Sequence, residues 1–441
     1  MKSFESWGRY PKVDHQTVRA VDWSSSAFPV VTPGQSVLPY GIGRSYGDSC
    51  LNDSNTLLSS RFMDHFLNFD RENGTLRCEA GLTLDKILDL IVPAGFFIPV
   101  SPGSRFVTVG GAIANDIHGK NHHGAGSFGN HVLQFELLRS DGTRMICSQT
   151  ENPEFFIATI GGLGLTGLIT WAEFSLRPIC SSRIVQEVIR YSTLDEFFKL
   201  SEESAPNFEY TVSWIDCLSQ GKNLGRGLFI RGNHEQNLQK TRRNPLSAPK
   251  RWRLPSVPLD LPSFTLNRQS IRAFNTLYYW KNWRRKTQSV THYEPFFYPL
   301  DSIGSWNRIY GSRGFFEYQC VVPYTDGGSA IAEILKTIAD EGSGSFLAVL
   351  KTFGTIPSRG LLSFPRPGVT LGLDFSNRGK RTLELFKRLD TIVASVNGAL
   401  YPAKDARMSQ EMFELSFPRL SEFHKFKDPL FSSSFWRRVQ P

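Results

Sequence analysis

Glycine clusters separated by short β-like runs dominate residues 1–178, and they constrain the fold more than any other feature of the sequence. The first cluster, residues 40–48, reads YGIGRSYGD and holds three glycines within seven residues. Such spacing lets backbone amides approach a ligand and form an anion-binding nest, to which Arg44 and Ser45 can add hydrogen bonds. No GK[ST] and no helical pattern follows, which excludes a P-loop and a dinucleotide fingerprint. A plain glycine turn is the alternative interpretation.

Residues 101–123 form the most distinctive block, SPGSRFVTVGGAIANDIHGKNHH. The glycine pair at 110–111, followed by small residues, is typical of a helix start that lies against a cofactor. His118 and Lys120 stand close to a histidine pair at 122–123. Because no carboxylate or cysteine lies at ligand spacing, we expect no metal. We expect a histidine or the lysine to face a redox centre, and at least one of the paired histidines to lie at the surface.

Two shorter motifs add to this pattern. Residues 160–169, IGGLGLTGLI, again permit close approach of the backbone. Residues 400–405, LYPAKD, place Lys404 near Tyr401, and a lysine held by local structure can orient or deprotonate a substrate hydroxyl. Taken alone, the first motif also fits a tight turn and the second a solvated lysine.

The spacing of apolar residues predicts an α+β chain in two parts. Residues 83–92 have a helical pattern, and the DGT sequence at 141–143 indicates a hairpin. The sequence changes character near Ser181, after which strand and helix patterns alternate to about residue 397. One helix there is predicted to end at Gly342.

Basic residues are concentrated in one segment, residues 240–286, which holds 12 basic residues and one acidic residue, Asp260. Since the whole chain carries a net charge of +9, the remainder is close to neutral. Self-repulsion predicts a mobile segment, and the interleaved Trp and Tyr residues suit an anionic membrane surface. A solvated lid over the active site is the alternative. The basic residues are Lys240, Arg242, Arg243, Lys250, Arg251, Arg253, Arg268, Arg272, Lys281, Arg284, Arg285 and Lys286.

Other features of the sequence narrow the function classes. No recognised nucleic-acid module accompanies the positive charge, so no nucleic-acid partner is expected. Six cysteines lie far apart without a CxxC pair, which is typical of buried thiols in a reducing compartment. The first residues show no apolar signal region, and no run of about 18 apolar residues occurs. We therefore expect a cytoplasmic protein, peripheral on the inner face of the membrane.

Taken in order, the motifs GxGRSYGD, PGSRxVTVGGAIAxDxHGKNHH, GGLGLTG and YxAKDxR resemble those of the decaprenyl-phosphoryl-ribose 2′-oxidases. These enzymes belong to the vanillyl-alcohol-oxidase-type FAD family. The sequence LKTFG, which contains Lys351, and the closing residues 428–438 fit as well, so the resemblance spans nearly the whole chain. The HGKNHH block is highly specific, whereas the glycine turns alone are not.

The resemblance implies a two-part α+β FAD-binding domain, residues 1–180 and 398–441, with an inserted α+β substrate domain, residues 181–397, that contains the 240–286 segment. Catalytic roles are implied for His118, Lys120 and Lys404. Substrate contacts are implied for Lys120, Gln319, Lys351 and Lys404. FAD contacts are implied for Gly41, Gly43, Arg44, Ser45, Tyr46, Gly47, Gly103, Thr108, Val109, Gly110, Gly111, His118, Asn121, Ile169 and Tyr401.

The activity implied by the resemblance is FAD-dependent oxidation of a secondary alcohol on a sugar. The first choice of substrate is the 2′-hydroxyl of a polyprenyl-phosphoryl pentose. That oxidation would be the first half of an epimerisation, which a short-chain reductase partner completes. The alternative is a soluble aldonolactone or alditol oxidase that uses oxygen.

Four departures from the family pattern bear on these expectations. Arg44 stands where members with covalent flavin carry a histidine, so non-covalent FAD is expected. Gly372 replaces a pocket cysteine of many relatives, and Glu317 stands where the family often has Gln. The stretch 31–40 is short and lacks an early helix. These departures leave the exact substrate open.

Overall fold

The computed structural model describes residues 4–236, 245–246, 255–262 and 264–440. Most of the β-like runs of the sequence form short strands in it. In chain order the strands are β1 Thr17–Ala20, β2 Val37–Tyr40, β3 Thr56–Ser59, β4 Phe66–Asp70, β5 Thr75–Glu79, β6 Phe96–Phe97, β7 Val132–Leu138, β8 Arg144–Ser148, β9 Leu168–Ser175, β10 Arg177–Pro178, β11 Arg183–Tyr191, β12 Tyr210–Ile215, β13 Gly227–His234, β14 Lys286–His292, β15 Phe315–Val322, β16 Ala348–Phe353, β17 Gly368–Ser376 and β18 Ala399–Leu400. The α-helices are α1 Leu84–Ile91, α2 Val109–Ala114, α3 His122–Ala125, α4 Pro153–Thr159, α5 Leu194–Ser204, α6 Arg268–Lys281, α7 Tyr293–Phe297, α8 Tyr324–Glu341, α9 Lys380–Ser395, α10 Gln410–Ser416, α11 Leu420–Phe423 and α12 Ser434–Val439.

The strands between residues 66 and 175 form an antiparallel five-stranded sheet in the order β4-β5-β9-β7-β8. The predicted hairpin is confirmed, since β7 pairs with β8 and Leu138 lies opposite Arg144. Gly142 takes the left-handed conformation that this turn requires, with φ of 85°. The predicted helix at 83–92 is confirmed as α1, whose apolar face is buried against this sheet. A separate parallel sheet, β1-β3-β2, leads through β2 into the first glycine cluster.

Residues 183–400 supply an antiparallel eight-stranded sheet in the order β14-β11-β13-β12-β16-β17-β15-β18. Because successive side chains of a strand point to opposite faces, each strand presents alternate residues to each side. Tyr318, Cys320 and Leu371 belong to a core shared with α8 and α9 on one side. The helix predicted to end at Gly342 is confirmed as α8, which stops where that glycine takes φ of 70°. The alternate residues of β15 and β17 face the opposite side, where the candidate site lies.

The C-terminal residues contact both the large sheet and the first glycine cluster. The short strand β18 pairs with β15, and α12 packs beside residues 48–50. The Val37 amide donates to the Leu430 carbonyl over 2.9 Å, and the Ser432 amide donates to the Val37 carbonyl over 2.9 Å. The α+β class is therefore confirmed, while the domain boundaries near residues 180 and 398 stay a prediction.

The basic segment falls partly outside the described residues. Residues 268–281 of the segment form α6, and residue 286 begins β14, while the mobility of the segment stays a prediction. Asn267 caps α6 by accepting hydrogen bonds from two backbone amides, and the buried Asn275 donates to Asp216 over 2.9 Å. Burial of one helix face and these hydrogen bonds offset the repulsion between the basic residues. Outside the described residues lie Lys240, Arg242, Arg243, Lys250, Arg251 and Arg253.

Two further properties of the described residues bear on the sequence predictions. Four of the six cysteines are buried as expected, but Cys50 is partly exposed and Cys180 is exposed. In the part of the chain that the structure describes, every helix is too short or too polar to span a bilayer.

Candidate active site

A deep cleft runs between the glycine clusters and the free face of the large sheet. It brings together residues from most of the chain, beginning at Trp7 and ending at Lys404. Most of the predicted site residues line it, namely Gly41, Gly43, Arg44, Ser45, Tyr46, Gly103, Thr108, Gly110, Gly111, His118, Lys120, Ile169, Gln319, Lys351, Tyr401 and Lys404. A concave site with converging polar groups of this kind is the usual form of a cofactor site.

The glycines on one wall of the cleft are required by close packing. A Cβ at Gly41 would lie 2.5 Å from Thr108 Oγ1, and Gly43 has φ of 68° with the Tyr40 hydroxyl against it. Gly103 differs, because a Cβ there would meet no described atom within 4 Å. The backbone at these glycines forms a bare wall of the cleft, which faces open space at Gly103.

The second glycine block starts a helix at the same wall. Thr108 caps α2, and its hydroxyl accepts a hydrogen bond from the Gly111 amide over 3.2 Å. Gly110 packs closely on Ala80, where a Cβ would lie 3.1 Å from the Ala80 Cβ. These contacts hold the start of α2 beside the cleft, where backbone amides suit an anionic group.

Two buried polar atoms at this wall fit an absent ligand. Arg44 Nε and Ser49 Oγ line the cleft region, and neither has a hydrogen-bond partner among the described residues. The Arg44 guanidinium lies 4.0 Å from the centre of the Trp7 ring, which fixes its position by a cation–π contact. Since buried polar groups are nearly always paired, this wall fits the phosphate and hydroxyl groups of FAD.

His118 lies at the centre of the opposite wall. Its Nδ1 atom lies 2.9 Å from Lys351 Nζ, and its Nε2 atom lies 3.0 Å from the Gln319 amide nitrogen. Burial, followed by the nearby Lys351 charge, holds the pKa of His118 well below its usual range. The ring is therefore neutral, with one donor and one acceptor nitrogen. Both contacts are satisfied when Gln319 donates to Nε2 and the ring donates to an uncharged Lys351.

Two lysines beside His118 are strongly perturbed by burial. The pKa of Lys351 is lowered to about 7 by burial and then by the charges of Lys120 and Lys404. The pKa of Lys120 is lowered to about 8 by burial. Lys351 Nζ donates to the Gly119 carbonyl over 3.1 Å, and Lys120 Nζ donates to the Phe297 carbonyl over 3.1 Å. Large pKa shifts of this kind are typical of functional sites, whereas a lysine exposed to solvent keeps its ordinary pKa and its charge.

Lys404 differs from the other two lysines because it has a carboxylate partner. Its Nζ atom lies 2.7 Å from Glu317 Oε2 and 3.8 Å from the centre of the Tyr46 ring. Asp374 lies opposite Glu317 in the pairing of β15 with β17. Burial, followed by the neighbouring Glu317, raises the pKa of Asp374 well above its usual range. The cleft therefore contains two carboxyl groups next to one lysine.

The C-terminal helix supports this part of the site through Arg438. Its guanidinium donates to Asp48 over 2.7 Å and to Asp405 over 3.0 Å. Asp48 follows the first glycine cluster, and Asp405 follows Lys404. Asp405 also accepts from the backbone amides of Arg407 and Met408. Arg438 thus fixes the glycine loop and the Lys404 loop to each other.

Three of the predicted FAD residues do not line the cleft. Gly47 packs directly on the Asp405 carbonyl, and Val109 is fully buried in the core. The Asn121 side chain donates to the Pro99 carbonyl over 2.8 Å and so supports the loop that carries His118. These contacts lie within the protein, and the assignment of the three residues to FAD stays a prediction.

The paired histidines at 122–123 also differ from expectation, because neither is exposed. His122 is buried against Phe353 and accepts from the Gly354 amide over 3.2 Å. His123 is half-buried and contacts the Phe208 carbonyl over 2.9 Å. Burial of this pair completes the packing beneath the His118 loop.

Sequence reasoning missed Asp374 as a site residue and treated Glu317 only as a departure from the family pattern. Both carboxyl groups line the cleft. The alternation of side chains along a strand could have indicated them, because Glu317 shares a face with Gln319 and Asp374 shares a face with Gly372. The pairing between the two strands was needed to bring them together.

Comparison with known proteins agrees with this geometry. Residues 27–148 match the FAD binding domain family. That match includes the first two glycine clusters, and the wall they form has unpaired polar groups suited to FAD. The fold and the site thus define an FAD-dependent oxidoreductase of the vanillyl-alcohol-oxidase type.

Relatives over the full length narrow the class further. The chain is 36% identical over 421 residues to the decaprenylphosphoryl-β-D-ribose oxidase of Mycolicibacterium smegmatis, covering 92% of this chain and 90% of that protein. It therefore belongs to the decaprenylphosphoryl-β-D-ribose oxidase family. It is also 32% identical over 372 residues to an uncharacterized protein in the mprA 5′ region of Streptomyces coelicolor, covering 81% of this chain and 100% of that protein. A probable L-gulonolactone oxidase 4 of Arabidopsis thaliana is 32% identical, but over 28% of this chain and 23% of that protein.

Proposed function

We propose that this enzyme oxidises the 2′-hydroxyl of a polyprenyl-phosphoryl pentose. The observation that carries the proposal is the wall opposite the glycine clusters, where Lys120, Lys351 and Lys404 surround His118 and Gln319. Three lysines suit the phosphate and hydroxyl groups of such a substrate, and a neutral histidine beside an amide suits a sugar hydroxyl. The full-length likeness to a decaprenylphosphoryl-β-D-ribose oxidase supports the same substrate class.

The residues of the cleft would share the work of the reaction. When bound, FAD supplies the acceptor for the hydride that leaves the alcohol carbon. Arg44, Thr108 and the bare glycine wall would hold it. Lys404 and His118, on the opposite wall, would orient the sugar so that the reacting carbon faces the flavin. Orientation of this kind is a large part of what the protein contributes to a cofactor enzyme.

FAD is proposed to be bound without a covalent link. The first glycine cluster presents Arg44, which cannot form the histidine link found in covalent members of the wider family. Its guanidinium is held against Trp7 instead. Acid precipitation of the purified yellow protein should release FAD into the supernatant. Flavin that stays with the pellet would contradict this part of the proposal.

A surface beside the cleft is proposed to contact an anionic membrane, where a polyprenyl substrate resides. Phe264, Leu277 and Trp283 are 75%, 74% and 71% exposed. Phe274, which shares helix α6 with Leu277, packs on Phe346, which precedes the cleft residue Leu347. Large exposed apolar side chains among basic residues are typical of helices that lie in a membrane interface. We define this membrane surface as Phe264, Arg272, Phe274, Leu277, Trp280, Lys281, Trp283, Arg284 and Arg285.

The product of the proposed reaction is a 2′-ketone, which requires a second enzyme to return it to an alcohol. A short-chain reductase is the proposed partner for that step. The alternative substrate class, a free aldonolactone or alditol, is supported by the partial likeness to an L-gulonolactone oxidase, which covers 28% of this chain. The full-length relative favours the phosphorylated lipid.

Bleaching of the flavin under anaerobic conditions tests the proposed substrate. A short-chain prenyl-phosphoryl ribose should reduce the flavin of the purified enzyme, because it carries the sugar and phosphate that the lysines would bind. Free L-gulonolactone and xylitol should reduce it far more slowly. Faster reduction by either free compound would instead support the alternative substrate class.

A further inference from the structure

Lys404 and Glu317 form an ion pair inside the cleft, and the pair determines which of them can receive a proton. The Lys404 ammonium is stabilised on two sides, by the Glu317 carboxylate at 2.7 Å and by the face of the Tyr46 ring at 3.8 Å. Both contacts favour the charged lysine. A charged lysine can donate a hydrogen bond to a sugar hydroxyl, but it has no lone pair with which to take the proton.

Glu317 is the neighbouring group that does have free lone pairs. One of its oxygens, Oε2, accepts from Lys404, and the other, Oε1, faces Gly372. A Cβ at residue 372 would lie 3.2 Å from Oε1, which is tighter than ordinary contact. The absence of a side chain at Gly372 therefore leaves room for the carboxylate. The two departures from the family pattern are linked, since the glycine accommodates the glutamate.

Asp374 makes Glu317 the charged member of the carboxyl pair. Asp374 is buried, and its carboxyl group lies 3.4 Å from the Tyr310 hydroxyl. Two adjacent carboxyl groups in a buried site do not both ionise readily, and burial favours the neutral form of the deeper one. The pair therefore carries one negative charge, on Glu317, next to the positive charge of Lys404. The titratable groups that face Glu317 are Lys404, Lys351, Asp374, Tyr46, Tyr310 and Tyr401.

We propose that Glu317 is the general base of the reaction, an inference that rests on the proposed oxidation of a secondary alcohol. The hydroxyl proton passes to the Glu317 carboxylate as the C–O bond becomes a carbonyl. The hydrogen on the same carbon leaves with its electron pair to the flavin, which is reduced as the alcohol is oxidised. Lys404 donates a hydrogen bond to the same oxygen and holds the carboxylate in place.

The test compares flavin reduction by prenyl-phosphoryl ribose in the wild type, E317Q, E317D and E341Q. E341Q is the matched control, because Glu341 also pairs with cations, Arg381 and Arg388, but lies away from the cleft. E317Q keeps the size and the hydrogen-bonding capacity of the side chain but cannot take a proton. Its reduction rate should fall by about 10²–10⁴-fold, the usual contribution of a positioned base. E317D should recover at least about tenfold of that loss, and E341Q should match the wild type.

Two further measurements separate a base from a merely structural group. The pH profile of the reduction rate in E317Q should differ from that of the wild type, because the variant lacks the proposed base. Binding of the prenyl-phosphoryl ribose to the reduced enzyme, which cannot oxidise it, should change by less than about threefold in E317Q. An E317Q protein reduced at the wild-type rate, or one that keeps the wild-type pH profile, would overturn the proposal. If E317Q does not fold, E317A takes its place, and an E317A protein that is reduced at the wild-type rate would overturn the proposal as well.

Failure of the proposed substrate can be told apart from failure of this inference. If prenyl-phosphoryl ribose does not reduce the wild type but L-gulonolactone or xylitol does, the substrate class is wrong. The same comparison of E317Q with E341Q, made with the alcohol that does react, then tests Glu317.

Discussion

At the residue scale, the three lysines of the cleft show that one residue type takes different roles in different local surroundings. Lys351 is buried and Lys120 is partly buried, and neither has an ion-pair partner among the described residues. Their pKa values fall to about 7 and about 8. Lys404 instead pairs with Glu317 and lies on the Tyr46 ring. Near neutral pH the cleft can therefore hold an uncharged amine beside His118, while Lys404 keeps its ion pair with Glu317.

Lys404→Ala should keep FAD and lose most flavin reduction by substrate. The loss should be about 10²–10⁴-fold, since the variant lacks the group that orients the hydroxyl and holds the carboxylate. Lys380→Ala, on the outer helix α9, is the control. Near-normal reduction by Lys404→Ala would show that Lys404 is structural.

Lys351→Met should alter the pH dependence of stability. Between the folded pKa of about 7 and the ordinary value of 10.5, the unfolded chain binds more protons than the folded protein, so wild-type stability rises with pH there. Below about pH 7 the folded wild type bears the full cost of a buried ammonium. The variant lacks this cost, so its melting temperature relative to the wild type should be highest at low pH and should decline as the pH rises. Lys387→Met, at an exposed position, should show a constant difference, and a constant difference for Lys351→Met would contradict the argument.

At the scale of elements, the register of β15 with β17 sets the reactivity expected at residue 372. Gly372→Cys should place a thiol against Glu317, and a neighbouring carboxylate disfavours the reactive thiolate. In the double variant of Gly372→Cys with E317Q, the carboxylate no longer disfavours the thiolate, and the nearby Lys404 favours it. The double variant should therefore react faster than Gly372→Cys with thiol-directed inhibitors, as measured by mass spectrometry. An unreactive thiol in both proteins would show that residue 372 does not face the cleft.

Arg438 provides a second test at this scale, because it connects α12 to two loops of the site. Arg438→Ala would leave Asp48 and Asp405 buried without their shared cation. Breaking a buried pair of this kind costs about 3 kcal/mol or more, so both the melting temperature and FAD affinity should fall. Arg419→Ala removes an exposed pair with Glu422 and should have little effect. Equal effects of the two variants would argue against this role of Arg438.

Local sequence patterns predicted the elements whose conformation depends on residues close together in the sequence. The α1 helix, the 141–143 hairpin and the glycine wall each follow from spacing or from residues that need special backbone angles. The carboxyl pair was missed because Glu317 and Asp374 are far apart in sequence and meet only through strand pairing. Asn121 was assigned to the cofactor from its motif, and the sequence did not reveal that its side chain donates to the Pro99 carbonyl.

At the scale of the whole molecule, charge and exposed aromatic residues predict salt-sensitive binding to anionic vesicles. Each basic residue near such a surface contributes about 1 kcal/mol. Changing Arg272, Lys281, Arg284 and Arg285 to serine should therefore weaken binding by up to about a thousandfold, as measured by co-sedimentation at low salt. The control changes four exposed cations elsewhere, Lys12, Arg19, Lys387 and Lys425. Equal binding by the two variants would mean that this surface is not the membrane contact.

The joining of distant chain segments by Arg438 also has a consequence for biosynthesis. Asp48, which the glycine loop precedes, is synthesised 390 residues before Arg438. Because domains tend to fold from the N-terminus during synthesis, the early sheet can form while its cofactor wall still lacks this support. We expect nascent chains to accept FAD only once residue 438 has been synthesised and Arg438 has joined the two loops, so flavin supply acts on yield late in maturation.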